Sequence, residues 1–299
     1  MAVHPCPCCI DRASRLMSRL LLLLAILVLS TQAHSRQLVL VQGYLGEPSS
    51  WSDSGIAQLL DQQGWRYAGE FVYASDGARL LAPLTAMHQP RPVDQFYRVS
   101  LPTESSIQSQ AYILTAYLRQ LRQRFPQQPV ILAGHSAGGV LARYVMVRQP
   151  ELQISMLITI ASPHLGTESA ELGKLVGKSP LALFAPFIGA NTINRSQSLY
   201  SDLLPEMPHR FLYWLNRQPH PPAQYVSIVR DRTSMDGGDF LVSERSQYLE
   251  NVYSLRHIAR SYVVQGSHSL SRADGQLIVD LLKERHGGTA PVSAAVVPL

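Results

Sequence analysis

The sequence predicts an α/β fold in which a doubly wound, mostly parallel sheet carries helices on both faces. Apolar strand segments alternate with amphipathic helical segments along the chain, which is typical of parallel sheets with crossover helices. One strand, beginning at Val130, runs through a glycine-flanked serine directly into a helix. The chain has 299 residues, of which 46% are hydrophobic and 16% charged, so it can bury a large core.

The first half of the chain contains the early elements of this pattern. Its longest helical segment has apolar residues every three or four positions and is ended by Pro126. A glycine-containing turn, Gly43–Gly46, follows the first apolar strand. The predicted strands are Gln37–Gln42, Phe71–Tyr73 and Phe96–Val99, and the predicted helices are Ile56–Gln63 and Ile107–Phe125.

The segment V-I-L-A-G-H-S-A-G-G, residues 130–139, has the pattern of a nucleophile elbow. In such a turn the serine, here Ser136, extends its hydroxyl from the end of a strand. Gly134 and Gly138 are expected because the strand and the helix pass so closely that a Cβ at either position would clash. The apolar strand before Ser136 and the helical spacing after it make this pattern more specific than the five-residue motif alone.

After the elbow helix, the pattern continues with a strand at Ile154–Ile160 and then breaks. Prolines punctuate the region from Ser162 to Ala223, which contains the apolar patch Leu181–Ile188. We interpret residues 163–223 as an insert that forms a helical cap or lid over an apolar cleft; the alternative is a buried packing segment. The regular pattern then resumes with the strands Tyr225–Val229 and Tyr262–Gln265 and the helix Arg272–Lys283.

The N-terminal residues 1–33 are predicted to be a leader and signal peptide. Leu20–Leu29 is an uninterrupted apolar run that follows two arginines and precedes a cleavage pattern ending at Ala33. The run is short for a membrane span, although it would anchor the chain if it were not cleaved. Met1 and Met17 both remain candidate start sites. We therefore predict an exported protein whose single α/β domain covers residues 34–286 and whose tail, residues 287–299, is flexible.

Composition excludes some classes of function. The formal net charge of +5 arises from scattered Lys and Arg, with no basic stripe interleaved with aromatic residues, so no nucleic-acid partner is expected. The three cysteines lie within the predicted leader, at Cys6, Cys8 and Cys9, so the mature chain is expected to have no disulfide or thiol chemistry. The oligomeric state is left open.

A serine hydroxyl needs a base to take its proton and a third group to orient that base. In enzymes built around this elbow, an acid and then a histidine follow the serine along the chain. His268 directly follows a predicted strand, at the sheet edge where the nucleophile lies, and is therefore the favoured base. His257 precedes that strand and is expected at the opposite edge, while His286 lies in the predicted tail.

Three aspartates follow the strand Tyr225–Val229 and are candidates for the acid. Asp239 is favoured because Leu241 and Val242 could anchor its loop against the core. Asp236 precedes two glycines, as a turn residue would, and Asp231 resembles a strand-end cap. Asp236 remains the main alternative.

The tetrahedral intermediate of acyl transfer needs hydrogen-bond donors for its negatively charged oxygen. The turn Gly43–Gly46 lies at the edge of the sheet where backbone N–H groups could serve. We predict that the N–H groups of Tyr44 and Ala137 form this oxyanion hole. The alternative for Gly43–Gly46 is a simple strand-ending turn.

Five segments together resemble the secreted α/β-hydrolase lipases, namely Q-G-Y-L-G, G-H-S-A-G-G, A-S-P-H-L-G-T, D-F-L-V and G-S-H-S. Bacterial triacylglycerol lipases and the GPI inositol-deacylase-like branch show the resemblance most strongly. It implies an α/β-hydrolase fold with Ser136 as nucleophile, Asp239 as acid, His268 as base, and Tyr44 with Ala137 as oxyanion donors.

The resemblance further implies hydrolysis of carboxylic esters, of a small molecule or of a lipid, through an acyl-enzyme and without a cofactor. Transient contact with lipid surfaces would follow from such a substrate. Acyl transfer and thioester hydrolysis would use the same triad, and a chain without activity would be a binding protein of the same fold. One departure concerns Gln42, which stands where these lipases usually have histidine before the oxyanion glycine.

Overall fold

The computed structural model describes residues 35–83, 93–167, 195–231 and 239–284. The described residues all belong to one compact unit, which begins at Ser35. The predicted leader, the patch Leu181–Ile188 and the tail 287–299 lie outside the described residues. Within the described ranges, no helix is both long and apolar enough to cross a membrane.

Eight strands form one sheet in the order β3-β2-β4-β1-β5-β6-β7-β8. Neighbouring strands are parallel except for β2 and β3, which pair antiparallel at one edge. The strands are β1 (Gln37–Val41), β2 (Arg66–Ala74), β3 (Gly77–Leu81), β4 (Gln95–Val99), β5 (Val130–His135), β6 (Ile154–Ile160), β7 (Gln224–Arg230) and β8 (Ala259–Val264).

Helices connect most of these strands, as parallel pairing requires. Two short 3₁₀ turns, Pro150–Leu152 and Leu249–Asn251, lie next to β6 and β8. The described α-helices are α1 (Ser50–Asp53), α2 (Ile56–Gln62), α3 (Ile107–Arg124), α4 (Ala137–Arg148), α5 (Gln197–Asp202), α6 (Phe211–Leu215), α7 (Glu244–Gln247) and α8 (Arg272–Glu284).

The core lies on both faces of the sheet, as predicted for a doubly wound fold. On β1, Val39 and Val41 join an apolar cluster with α3 and α4, while Leu38 and Leu40 join a second cluster with α2 and α8. Successive side chains of a strand point to opposite faces, so an entirely apolar strand is one that is covered on both sides. The predicted α/β fold class is therefore confirmed.

The described part of the predicted insert is packed rather than detached. Leu199 and Leu203 of the α5 region and Leu212 and Leu215 of α6 are fully buried in the same cluster as α3 and α4. Asp202 also accepts a hydrogen bond from the backbone N–H of Ile107, 2.8 Å away, at the beginning of α3. Residues 195–223 thus belong to the body of the domain, and a cap remains a prediction for the rest of the insert.

Most predicted elements lie within a residue or two of their observed bounds, but three strands differ, β2 and the two edge strands β3 and β8. β2 begins at Arg66, well before the predicted Phe71, and the hairpin strand β3 was not predicted. The Asp76-Gly77 pair at this turn is a hairpin signal that could have revealed it. β8 begins at Ala259 because Arg260 and Ser261, although polar, pair with β7 at the open edge of the sheet.

Candidate active site

Ser136 occupies the sharp turn between β5 and α4. Its backbone has φ 52° and ψ −127°, a region that residues with a side chain rarely adopt. A hydrogen bond to the neighbouring strand holds this turn, since the Ser136 N–H donates to the carbonyl oxygen of Ile160 on β6 at 2.8 Å. The side chain is consequently presented at the carboxyl end of the central strands.

The glycines around Ser136 are required by close backbone approach, as predicted. A Cβ on Gly134 would lie 2.6 Å from the carbonyl oxygen of Gly138, and one on Gly138 would lie 2.7 Å from that of Val41. Sequence reasoning missed the same constraint at Gly139, where a Cβ would collide with the side chain of Ser162. The beginning of α4 is thus pressed against β1 and β6 at once.

The structure brings Ser136, His268 and Asp239 into one hydrogen-bonded chain. Ser136 Oγ lies 2.9 Å from His268 Nε2, and His268 Nδ1 lies 2.8 Å from Asp239 Oδ2. The three residues are 3%, 8% and 3% exposed, respectively, so the chain is largely shielded from water. This is the geometry in which a carboxylate orients an imidazole toward a hydroxyl.

Two of the other candidates, His257 and Asp231, lie in the described part of the protein and do not join this chain of hydrogen bonds. His257 lies before the beginning of β8, at the opposite end of that strand from His268, as expected. Asp231 directly follows β7, and its backbone N–H donates to the carbonyl of Val264 at 3.4 Å. Asp236 and His286 lie outside the described residues.

The carboxylate of Asp239 is held by several donors. Its Oδ1 accepts from the backbone N–H groups of Leu241 at 2.9 Å and Val242 at 3.0 Å, and its Oδ2 accepts from Gln247 Nε2 at 3.0 Å. Burial raises the pKa of the Asp239 carboxyl, but the hydrogen bond and charge of His268 and the two N–H donors outweigh burial, so the pKa is lowered. Asp239 is therefore anionic at neutral pH.

A buried ion pair holds the loop that carries His268. Arg230, at the end of β7, and Asp274, in α8, are both fully buried and share two hydrogen bonds of 2.5 and 2.7 Å. Arg230 Nη2 also donates to the carbonyl oxygen of Ser269 at 2.9 Å. Sequence reasoning missed this pair because nothing local links two residues on different elements.

The turn after β1 lies directly against the nucleophile. A Cβ on Gly43 would be 2.8 Å from the Cβ of Ser136, so only glycine fits there. The Gly46 N–H closes the turn on the Gly43 carbonyl at 3.0 Å, and Leu45 takes a φ of 54°. The predicted oxyanion donor Tyr44 is thus next to a residue in contact with Ser136.

Ala137, the second predicted donor, is the first residue of α4. The first N–H groups of a helix have no acceptor inside the helix, so that of Ala137 is available to a ligand. The helix dipole also favours negative charge at this end.

The phenol of Tyr44 connects the turn Gly43–Gly46 to α5. Its hydroxyl lies 2.6 Å from that of Tyr200 and donates to Ser196 Oγ at 3.1 Å. Burial is the main cause that raises the pKa of Tyr44, so the phenol stays neutral. These contacts were not predicted, because α5 lies far along the chain from β1.

A cavity of about 650 Å³ borders Asp239 and is lined by Thr167, Glu206, Phe240 and Arg245 among others. Ser136 and His268 do not line it, so this cavity lies beside Asp239 and away from the Ser136 hydroxyl. Among the described residues, no three His, Cys, Asp or Glu side chains come together as a metal site would require.

Solved structures share this arrangement of strands and helices. The mature form of the Bacillus licheniformis lipase BlEst2 superposes with a TM-score of 0.54 at 17% identity, covering 85% of this chain and 93% of that one. A gene product of Listeria innocua has the same TM-score at 12% identity, covering 86% and 96%. The chain has the α/β-hydrolase fold.

Comparisons of sequence agree with this α/β-hydrolase assignment over part of the chain. The family model of the PGAP1-like alpha/beta domain matches residues 104–174, which include α3, the elbow and β6. Triacylglycerol lipases of Pseudarthrobacter phenanthrenivorans and Burkholderia plantarii are each 37% identical over 78 residues, or 26% of this chain. The predicted resemblance to lipases is confirmed over that stretch.

The match to the curated lipases covers only a small part of this chain and of each lipase. This α/β-hydrolase chain aligns with 24% and 22% of the length of the two relatives. The similarity is therefore limited to about a quarter of each protein.

Proposed function

We propose that this chain is a serine hydrolase that cleaves carboxylic esters with apolar acyl groups, including lipid esters. The observation that carries the proposal is the chain of two hydrogen bonds from Asp239 through His268 to Ser136. Its distances of 2.8 and 2.9 Å are those of a base already in contact with both its orienting acid and its nucleophile.

In the first half of the reaction, Ser136 Oγ attacks the carbonyl carbon of the ester while His268 Nε2 takes the hydroxyl proton. The anionic carboxylate of Asp239 holds the Nδ1 proton and stabilises the imidazolium that forms. When the tetrahedral intermediate collapses, the ester C–O bond breaks and the leaving oxygen takes the proton from Nε2. The alcohol departs and Ser136 carries the acyl group.

Water completes the cycle on the acyl-enzyme. The water oxygen attacks the acyl carbon while His268 Nε2 takes a proton from the water. When the bond between the acyl carbon and Ser136 Oγ breaks, Nε2 gives that proton to Oγ and the carboxylic acid leaves. One ester and one water thus become one acid and one alcohol, and no cofactor takes part.

The N–H groups of Tyr44 and Ala137 are the proposed oxyanion donors. Support comes from the contact of Gly43 with Ser136 and from the position of Ala137 at the beginning of α4. Such donors act on the charge that develops on the carbonyl oxygen, and removing one typically slows the reaction by about 10²- to 10³-fold.

Lipid esters are proposed because the relatives that match are triacylglycerol lipases and because the predicted insert is apolar. Contact with lipid surfaces belongs to the same proposal, as does a cap formed by the part of the predicted insert that precedes residue 195. The apolar run Leu20–Leu29 supports export of the chain.

The test compares wild type with Ser136→Ala on p-nitrophenyl esters from acetate to palmitate, together with labelling by a fluorophosphonate probe. We expect wild type to bind the probe covalently at Ser136 and to prefer longer acyl chains, and Ser136→Ala to lose both labelling and turnover. Ser201→Ala removes an exposed serine of α5 and is the matched control.

Two outcomes would contradict parts of this proposal. Turnover retained in Ser136→Ala would overturn the nucleophile, and a preference for acetate would overturn the apolar acyl group. Faster product formation with a competing alcohol, or with thioesters, would instead identify acyl transfer or thioester hydrolysis on the same triad.

A further inference from the structure

We propose that His135 is a positioning residue that keeps the base His268 and the oxyanion turn in register with Ser136. The inference rests on the proposed function, because it assigns a role to a neighbour of the same triad. His135 is the residue between Gly134 and Ser136 in the elbow. Its side chain is not a member of the triad.

The first contact of His135 is with the peptide unit of the base. His135 Nε2 lies 2.7 Å from the backbone carbonyl oxygen of His268, and the two imidazole rings are 5.2 Å apart. A carbonyl oxygen can only accept, so Nε2 carries the proton and donates. Burial, followed by the charge of His268, lowers the pKa of His135 to about 3. The ring therefore stays neutral, with Nε2 protonated and Nδ1 unprotonated.

The second contact is with the oxyanion turn. A Cβ placed on Gly43 would be 2.9 Å from the His135 carbonyl oxygen and 3.3 Å from its Nδ1. The turn that presents the Tyr44 N–H therefore lies against both the backbone and the ring of His135. His135 is therefore joined to Ser136 by a peptide bond and to the backbone of His268 by a hydrogen bond. It also packs against the turn Gly43–Gly46.

The loop that carries His268 depends on such contacts. Gly266 has a φ of 140° with open space beside it, and no helix or strand spans residues 265–271. Within this described loop, the carbonyl of Ser269 is tied to Arg230 and that of His268 to His135. The first contact leads to β7 and the second leads to the elbow, so the second holds the backbone of His268 against the residue that precedes Ser136.

Three substitutions separate the donated hydrogen bond from simple packing. In His135→Gln the amide nitrogen can occupy the position of Nε2 and still donate, whereas in His135→Asn it falls near the position of Nδ1. His135→Leu fills the space without a donor. We expect kcat per titrated active site to fall about 10- to 100-fold in His135→Leu and His135→Asn, since misplacing a reacting group by about 1 Å costs this much.

In His135→Gln we expect kcat within about threefold of wild type. KM should change little in all three variants, because the contacts of His135 are with the backbone of His268 and with the turn at Gly43. The second-order rate of fluorophosphonate labelling should follow kcat. Normalising to titrated sites, well below the melting temperature of each variant, removes any contribution from unfolded protein.

The outcomes separate this inference from the proposed function. If wild type does not react with the probe at Ser136, the proposed function fails and this inference fails with it. If wild type reacts and His135→Leu reacts equally fast per site, His135 has no positioning role while the triad stands. Equal losses in His135→Gln and His135→Leu would also overturn the hydrogen bond as the cause.

Discussion

Of the five described non-glycine residues with a positive φ, three lie around the site. Leu45 in the turn Gly43–Gly46, Ser136 in the elbow and Ala161 directly after β6 have φ of 54°, 52° and 51°. Such conformations cost about 1–3 kcal/mol each and persist where packing over-determines them. At Ser136 the strain is borne because the turn presents the hydroxyl to His268 instead of burying it in the helix.

Asp239→Asn tests the role of the acid at this scale. The amide of asparagine can donate to His268 Nδ1, which favours the tautomer with its proton on Nε2. Nε2 can then no longer accept the Ser136 proton, so kcat should fall by about 10³- to 10⁴-fold. Steady-state kinetics on a short-chain ester measures this loss. Asp236→Asn and Asp231→Asn are the matched controls, and a larger loss in Asp236→Asn would transfer the role of acid to that residue.

At the scale of elements, the position of α4 decides the geometry of the site. Its first turn has no room for side chains at Gly138 and Gly139, so the helix can approach β1 and Ser162 closely. α8 approaches α2 in a similar way at Gly275, but there the nearest atom is Leu59 Cδ1, at 2.9 Å from a Cβ. A backbone neighbour cannot move away, whereas the end of a leucine side chain can rotate.

The same substitution at these two glycines should therefore have unequal effects. Gly138→Ala is expected to lower the free energy of unfolding by more than about 3 kcal/mol, beyond ordinary overpacking, because its Cβ meets the backbone of β1. Gly275→Ala should cost less, since a gain of up to ~1 kcal/mol in helix propensity offsets the contact. Urea unfolding measures both, and equal losses would contradict the argument.

For the whole molecule, buried neutral histidines link stability to pH. Burial lowers the pKa of His135 and His220 to about 3, and that of His164 well below 6.5. The neighbouring cation Arg143 lowers the pKa of His164 and His220 further. Below pH 6.5 the unfolded chain therefore binds protons at these positions that the folded chain does not, so the free energy of unfolding falls.

Each such histidine contributes a slope of about 1.4 kcal/mol per pH unit between pH 6.5 and its pKa in the folded protein. His220→Gln should therefore make the decline in unfolding free energy between pH 6 and 4 shallower by roughly this amount. Urea denaturation at several pH values measures the slope. His257→Gln, which removes an exposed histidine, should leave it unchanged, and an unaltered slope in His220→Gln would contradict the prediction.

Local patterns in the sequence were sufficient for the parallel sheet, the elbow at Ser136 and the candidates for base and acid. These features depend on apolar periodicity, on glycines beside one serine and on the order of elements along the chain. All three can be recognised from residues that are close together in the sequence. The edge strands were less predictable, since β3 and β8 are only partly buried and carry weaker apolar patterns.

The tertiary structure alone decided what holds the site together. His135 with the carbonyl of His268, Gln247 with Asp239, and Tyr44 with Tyr200 are contacts between residues on separate elements. No local sequence pattern predicts these hydrogen bonds, because each depends on how two elements that are distant along the chain pack in the folded protein. The sequence by itself therefore determined which groups could react, and folding determined which partners orient them.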